Sequence, residues 1–351
     1  MSARSIIIVA ALLIAGTPLA RADADADWAQ IEAMDSNGPA QQWQSQDEAR
    51  DATIDYLGKQ EKALRDFSAA YPDDAHTPDA KLRLAHLLAT RADFQQDSSQ
   101  RLAADAILNE LETEPAMKDR RADVEFARVS IFMQRVNGMT GANRDPLLEK
   151  ARAYAKEFPD DRRVAPLLAD VAGTFEEDEP KTARALLDQA LPKAQTPELR
   201  ASINDDLKRL SLLGKPLEMQ WTAIDGTRIN LDNFHGRIVL IYFFASWSPP
   251  SMEELDWVRD LVSRVPADTL QPLGICLDKD PVSVPGVLSD HQITWPVYCD
   301  GGGWQGKLVR SLGINAIPVI WIIDRDGILR ALDAKDDAIP LIEKLAGDSA
   351  Q

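Results

Sequence analysis

Seven consecutive apolar residues, Ile238–Phe244 (IVLIYFF), constrain this chain more than any other segment. A run that is apolar at every position has no face to offer water, so it reads as a strand buried on both sides. Ala245-Ser246-Trp247-Ser248-Pro249-Pro250-Ser251 follows it directly, and then Leu255, Val258, Leu261 and Val262 recur at helical spacing. A doubly buried strand, a tight turn and an amphipathic helix in succession imply a sheet covered by helices.

The surroundings extend that reading. Leu213-Gly214-Lys215-Pro216 marks a change of composition toward β-branched residues, aromatics and turn signals. Met219–Ala223 and Arg228–Leu231 flank Asp225-Gly226, a hairpin signal. After the strand and its helix (Pro250–Val265) come a strand over Leu270–Leu277, a short helix over Val282–Asp290 and a brief strand at Pro296–Tyr298. Helix Gln305–Leu312, strands Val319–Asp324 and Ile328–Leu332 around Arg325-Asp326-Gly327, and helix Ala338–Ala346 complete the order. Residues 214–347 are therefore expected to form an α/β domain with a central mixed sheet.

Residues 47–213 read as helix throughout, with Ala, Leu, Arg, Glu and Asp dominant and no two-residue alternation. Phe67-Ser68-Ala69-Ala70-Tyr71-Pro72-Asp73-Asp74 resembles Tyr154-Ala155-Lys156-Glu157-Phe158-Pro159-Asp160-Asp161, and Pro72, Pro115 and Pro159 fall 43 and 44 residues apart. Each proline stops one helix and a polar turn restarts the next. The unit is a helical hairpin, and stacked hairpins of this length form an α-solenoid. The pattern resembles the tetratricopeptide-like arrays of exported bacterial proteins. Such a domain serves either as a surface for docking or oligomerisation, or as a helical spacer; periodicity does not separate the two.

At the start, Arg4, the apolar core Ile6–Ala15 and Ala20-Arg21-Ala22 form an export-signal pattern with cleavage expected after Ala22. The apolar core is too short to span a membrane, and no comparable run follows. Periplasmic or secreted localisation is the expectation, with residues 23–46, acidic and then rich in Gln, Ser and Ala, as a poorly ordered lead-in. Removing Arg4 and Arg21 deepens the net charge of −17. That balance disfavours nucleic acid and anionic lipid as partners. His76, His86, His235 and His291 show no metal-ligand spacing, so no metal or other cofactor is expected. Gly301-Gly302-Gly303-Trp304 lacks the phosphate-loop pattern and reads as a flexible loop.

Several matches in order make the C-terminal half resemble a TlpA-type thioredoxin-like domain, in the group that includes cytochrome-maturation thioredoxins and peroxiredoxins. They are Leu231-Asp232-Asn233-Phe234-His235-Gly236-Arg237, Trp247-Ser248-Pro249-Pro250-Ser251, Gly274-Ile275-Cys276-Leu277-Asp278, Trp295-Pro296-Val297 and Gly313-Ile314-Asn315-Ala316-Ile317-Pro318, the last running into Ile322-Ile323-Asp324. The resemblance implies thiol–disulfide oxidoreductase chemistry at a Cys-X-X-Cys turn, yet serine stands at both cysteine positions, Ser248 and Ser251. A helix N-terminus lowers a thiol's pKa into the working range, whereas a serine hydroxyl neither ionises there nor forms a disulfide. The resemblance also places a cis proline at Pro318, with the backbone of Ile317 as the edge that pairs with an extended peptide. Glu254 matches the family's thiol-tuning acid; without a thiol it reads as a solvated glutamate near the helix start.

The degenerate site thus comprises Trp247, Ser248, Pro249, Pro250, Ser251 and Glu254, with no catalytic residue assigned. The expected function is a non-catalytic protein- or peptide-binding role or a module of an envelope complex, with a protein or extended peptide as partner. A serine nucleophile would need His235 or His291 as base, and their spacing places neither there. Cys276 lies in one strand and Cys299 follows the brief strand Pro296–Tyr298, and the resemblance implies that these two strands run side by side. Buried thiols, a structural disulfide and a relocated redox pair all fit those two positions. An oxidoreductase or peroxidase-related enzyme working through them is the alternative function.

Overall fold

The computed structural model describes residues 18–38, 45–95, 97–137, 144–335 and 337–347. The expected signal segment lies outside these residues up to position 17, and residues 18–22 join the backbone of the first helix. The chain divides into two compact units, Met1–Lys150 and Ala151–Gln351.

Helices α1 (Pro18–Asn37), α2 (Gln46–Ala70), α3 (Thr77–Gln95), α4 (Ser98–Thr113) and α5 (Arg121–Asn137) build the first unit, and α6 (Asp145–Glu157) crosses the division. Leu64, Phe67, Leu84, Leu88, Leu108 and Leu111 form its core. The lead-in expected at 23–46 is corrected over residues 23–37, which belong to α1; residues 39–44 lie outside the described ones. Ala24, Trp28 and Ile31 sit on one helical face beneath the acidic composition, and all three are buried. Trp28 stacks on His76 at 4.8 Å between centroids and carries the Arg83 guanidinium 4.6 Å above its ring.

The sequence repeat is a repeated turn. After α2, Asp74 Oδ1 accepts from the His76 N–H at 2.9 Å; after α6, Asp161 Oδ1 accepts from the Arg163 N–H at 2.8 Å. In each copy an aspartate satisfies the amide two residues on, restarting the chain after the proline. An aromatic pair precedes each turn: Phe67 with Tyr71 at 5.1 Å and Tyr154 with Phe158 at 5.2 Å. The Arg163 guanidinium, with its N–H, holds the Asp161 carboxyl down at about 2. Pro115 differs, opening a 3₁₀ turn over Pro115–Arg120.

The second unit continues with α7 (Val164–Gly173), α8 (Pro180–Ala190) and α9 (Pro197–Leu212), then β1 (Gln220–Thr222) and β2 (Arg228–Asn230). These two strands pair as a separate antiparallel hairpin. β3 (Ile238–Phe244), α10 (Pro249–Arg264), β4 (Leu270–Cys276), α11 (Val284–Asp290) and β5 (Val297–Tyr298) follow. The chain closes with α12 (Lys307–Leu312), β6 (Val319–Ile323), β7 (Leu329–Ala331) and α13 (Ala338–Gly347). The sheet order is β5-β4-β3-β6-β7, with β3, β4 and β5 parallel and β6 and β7 antiparallel to their neighbours. This is the expected mixed sheet, and β3 at its centre is buried at all seven positions.

The break in composition at Leu213 and the break in packing at Lys150 do not coincide. α9 is held to the sheet domain by Arg209, whose guanidinium donates to Gly313 O at 3.1 Å, Asn315 Oδ1 at 2.9 Å, Glu176 Oε2 at 2.8 Å and Asp206 Oδ1 at 2.9 Å. A Cβ at Gly313 would lie 2.3 Å from Asp205 O, so α9 seats directly on that backbone. Burial pushes the Glu176 carboxyl up, and Arg209 works against that rise. Arg209→Ala leaves two half-buried carboxylates without their cation. It is expected to cost about 1.5–3 kcal/mol of stability, read as a lowered urea midpoint, with Arg209→Lys recovering part of it. An unchanged midpoint would show that the network does not hold α9.

Candidate functional site

β3 ends where the chemistry of the domain was expected. Its parallel register with β4 sets Phe244 beside Cys276, and Leu277 N–H donates to Phe244 O at 2.8 Å. The buried Asp278 then accepts from Ser246 N–H at 2.9 Å, closing the crossover between the two strand ends. Ser248 N–H bonds back to Ala245 O at 3.1 Å, and α10 begins at the next residue.

The start of α10 explains why Ser-Pro-Pro-Ser occupies this turn. Ser248 is the N-cap, in extended conformation, with Pro249 and Pro250 at the first two helical positions. Proline has no N–H, so two of the amides that a helix start leaves without partners do not exist here. The Ser251 N–H that remains donates to Ser248 Oγ at 3.4 Å. From below, Tyr242 O–H donates to Ser251 O at 2.7 Å. Burial, and secondarily the Glu254 charge, pushes the Tyr242 phenol well above its ordinary range, so it remains a donor.

Both serines are buried, whereas Trp247, Pro249 and Pro250 are exposed. Trp247, 56% exposed, meets the edge of Trp304 at 6.4 Å. The exposed turn is thus an apolar ridge of two tryptophans and two prolines, with the hydroxyls turned inward. Ser251 Oγ has no hydrogen-bond partner among the described residues. The Ile317–Pro318 peptide is cis. Val319 next to it pairs with Phe243, so this loop meets β3 at the end that carries the turn.

Neither histidine reaches the serines. His235 precedes β3 and Ser248 follows it, a separation of about 23 Å along seven strand residues. Its ring packs 3.1 Å from where a Gly327 Cβ would stand. His291 Nδ1 is 3.1 Å from Asp256 Oδ1, on the second turn of α10. Among the described residues neither is bonded to Ser248 or Ser251, and no serine triad is assembled.

Two expectations are corrected. Glu254 is not solvated: it is buried and paired with Lys335 at 3.1 Å. A carboxylate at 4% exposure is kept by its cation, not by water at a helix start. The Gly301–Trp304 segment is a tight turn instead of a flexible loop. Asp300 accepts from the N–H groups of Gly302 at 2.9 Å and Lys307 at 3.0 Å, and from the Tyr298 O–H at 2.9 Å. Burial raises the Asp300 carboxyl, but these donors outweigh it and hold the group low. Sequence reasoning missed Asp278, Asp300, Lys335 and Trp304 as members of this site; only Asp300, which precedes a glycine run, carried a signal, as a turn former.

Cys276 is 3% exposed and Cys299 half-buried. β4 and β5 pair in parallel with Gly274 opposite Val297 and Ile275 opposite Tyr298, so the next step of that register sets Cys276 opposite Cys299. Both belong to the same apolar cluster, and both are free thiols.

A strand-order β5-β4-β3-β6-β7 sheet with a cis proline beside the end of β3 defines a thioredoxin-like domain. Residues 214–332 match the AhpC/TSA family, a thioredoxin-like family. Similar proteins include the thiol-disulfide oxidoreductase ResA of Bacillus thuringiensis subsp. konkukian, 24% identical over 106 residues, which is 30% of this chain and 60% of ResA. Another is the sporulation thiol-disulfide oxidoreductase A of Bacillus subtilis, 23% identical over 108 residues, 30% of this chain and 63% of that one. The chain therefore spans somewhat less than two thirds of the length of these relatives. Among solved structures, a thiol-disulfide oxidoreductase from Bacteroides fragilis shares 20% identity at a TM-score of 0.34, over 37% of this chain and 98% of that one. Among the described residues no helix is long and apolar enough to cross a membrane, and no cluster of three or more His, Cys, Asp or Glu has metal-holding geometry.

A buried hydroxyl without a partner is a cost that the fold carries. Ser251→Ala is expected to raise stability by about 1 kcal/mol, seen as a higher melting temperature. A lowered one would mean that the hydroxyl supports the turn.

Proposed function

We propose that residues 214–347 form a TlpA-type domain of an exported protein in which the family's redox turn serves non-catalytic recognition of a protein or extended peptide. The observation that carries this is the inversion at the turn: Ser248 and Ser251 are buried and without a base, while Trp247, Pro249, Pro250 and Trp304 face outward. Thiol–disulfide exchange needs a sulfur nucleophile, and serine at both positions supplies none. Tryptophan, by contrast, is the residue that most often dominates binding surfaces. The backbone of Ile317, beside cis Pro318, offers an edge for an extended strand. The export pattern ending at Ala22 agrees with a periplasmic or secreted location, and the helical repeats of residues 47–213 provide a second surface for a partner or another copy.

Enzymatic assays separate this from a conventional oxidoreductase. The wild-type protein is expected to reduce insulin no faster than a Cys276→Ser/Cys299→Ser variant. Ser248→Cys/Ser251→Cys is expected to gain insulin reduction, because the prolines, the Tyr242 anchor and the β3–β4 register that shape the turn do not depend on the serine hydroxyls. Wild-type turnover abolished by the cysteine-to-serine pair would falsify the recognition-only reading.

Binding is tested directly with arrays of extended peptides. Trp247→Ala is expected to weaken any captured peptide at least tenfold, about 1.4 kcal/mol, at unchanged thermal stability. Equal affinity would move the binding surface elsewhere.

A further inference from the structure

The two cysteines stand apart from the serine turn, yet at the same end of the sheet. Cys276 is the last residue of β4, beside Phe244, the last residue of β3. Cys299 follows β5 immediately, and the β4–β5 register leads to the pair directly. Parallel neighbours lie about 4.8 Å apart in the hydrogen-bonding direction, inside the Cα range of about 4.4–6.8 Å that a disulfide requires. Both side chains pack into one apolar cluster, and the contact between the two thiols raises Cys276 and lowers Cys299. The Cys299 S–H donates to Asp278 O at 3.5 Å, so Cys299 gives up this bond when it ionises.

The pair is asymmetric. Cys276 is sealed in the apolar cluster with Phe244 and Val297, whereas Cys299 is half-buried at its border. The hydrogen bond from Cys276 and then the Gly301 N–H favour the Cys299 thiolate, against burial and the charges of Asp278 and Asp300. The same contact, with burial, pushes the Cys276 thiol up. Cys299 is the half-buried sulfur and the one whose ionisation the contact eases; Cys276 is the buried sulfur and the one whose ionisation it opposes. That is the division of labour between an entering and a resolving thiol.

We propose that Cys276 and Cys299 form a reversible dithiol–disulfide couple, a redox site one strand removed from the family's position, with Cys299 as the entering and Cys276 as the resolving sulfur. The oxidant is a low-molecular-weight disulfide of the glutathione type. The Cys299 thiolate attacks one of its sulfurs, forming a mixed disulfide and releasing a thiolate that takes up a proton. Cys276 then loses its proton, attacks the Cys299 sulfur and displaces the second thiolate, which is protonated in turn. Two electrons pass from the cysteine pair to the external disulfide, which leaves as two thiols; the reverse sequence restores the dithiol. Closure ties the end of β4 to the turn that carries Trp304, so the couple sits within one loop of the aromatic ridge.

The full-length protein is equilibrated with graded mixtures of reduced and oxidised glutathione, quenched in acid, alkylated and weighed. The wild-type protein is expected to pass from two alkylated cysteines to none, with the loss of two hydrogen masses, and to return when the ratio is reversed. Two alkylated cysteines at every ratio would overturn the proposal, as would a disulfide that no ratio reduces. Cys276→Ser, with Cys276→Ala as a second variant, is expected to accumulate a glutathione adduct on Cys299. Cys299→Ser is expected to acquire adduct on Cys276 at least tenfold more slowly while folded. Equal rates would overturn the assignment of entering and resolving sulfur. Peptide affinity at the ridge is measured on the same samples in both redox states, so failure of the couple and failure of the recognition reading are seen separately.

Discussion

The parallel pairing of β3 with β4 is the constraint on which the rest of this domain depends. It fixes two strand ends side by side, and from those ends come the serine turn, the Asp278 crossover and the first cysteine. Ser246 N–H bonded to Asp278 and Leu277 N–H bonded to Phe244 O turn two independent chain exits into one rigid corner. Because parallel strands leave their carboxyl ends at the same edge, loops that are distant in sequence are gathered there. Trp247 and Trp304, 57 residues apart, become neighbours for that reason alone.

The fold of this half was legible because it rests on backbone periodicity. The apolar run Ile238–Phe244, the Asp225-Gly226 hairpin and the break at Gly214 act through rules local to a few residues, and the observed strands fall within two residues of the expected ones. Helix α1 was hidden for the opposite reason. Among the described residues its buried face is Ala24, Trp28 and Ile31, so composition averaged over the segment reports acid and solvent. A stripe at positions i, i+4 and i+7 suffices to bury a helix when one member is tryptophan.

The site was legible in identity and not in orientation. Sequence placed Ser248, Ser251 and Pro318 at the turn, but which side chains face water depends on what packs beneath. Tyr242 takes the Ser251 carbonyl from below and Lys335 takes Glu254, 81 residues away in the chain. Neither partner is marked by spacing, because a cross-element ion pair has no period. Arg209 is a further instance: a surface-looking residue on an amphipathic helix that proves to hold α9 against the Gly313–Asn315 backbone.

The persistence of the turn without sulfur follows from what holds it. Its shape comes from the Ser248 cap, the missing amides of Pro249 and Pro250, the Tyr242 hydroxyl and the sheet register, and none of these involves a cysteine side chain. A thiol contributes reactivity to such a turn and little to its geometry, since a reduced cysteine packs as a small hydrophobe. Exchange of sulfur for oxygen therefore removes chemistry while leaving a preformed surface, at the cost of burying a Ser251 hydroxyl with no partner among the described residues. The same logic run in reverse applies one strand away. There the register of β4 and β5 supplies the geometry, and two cysteines placed opposite each other are all that redox chemistry would need to be added.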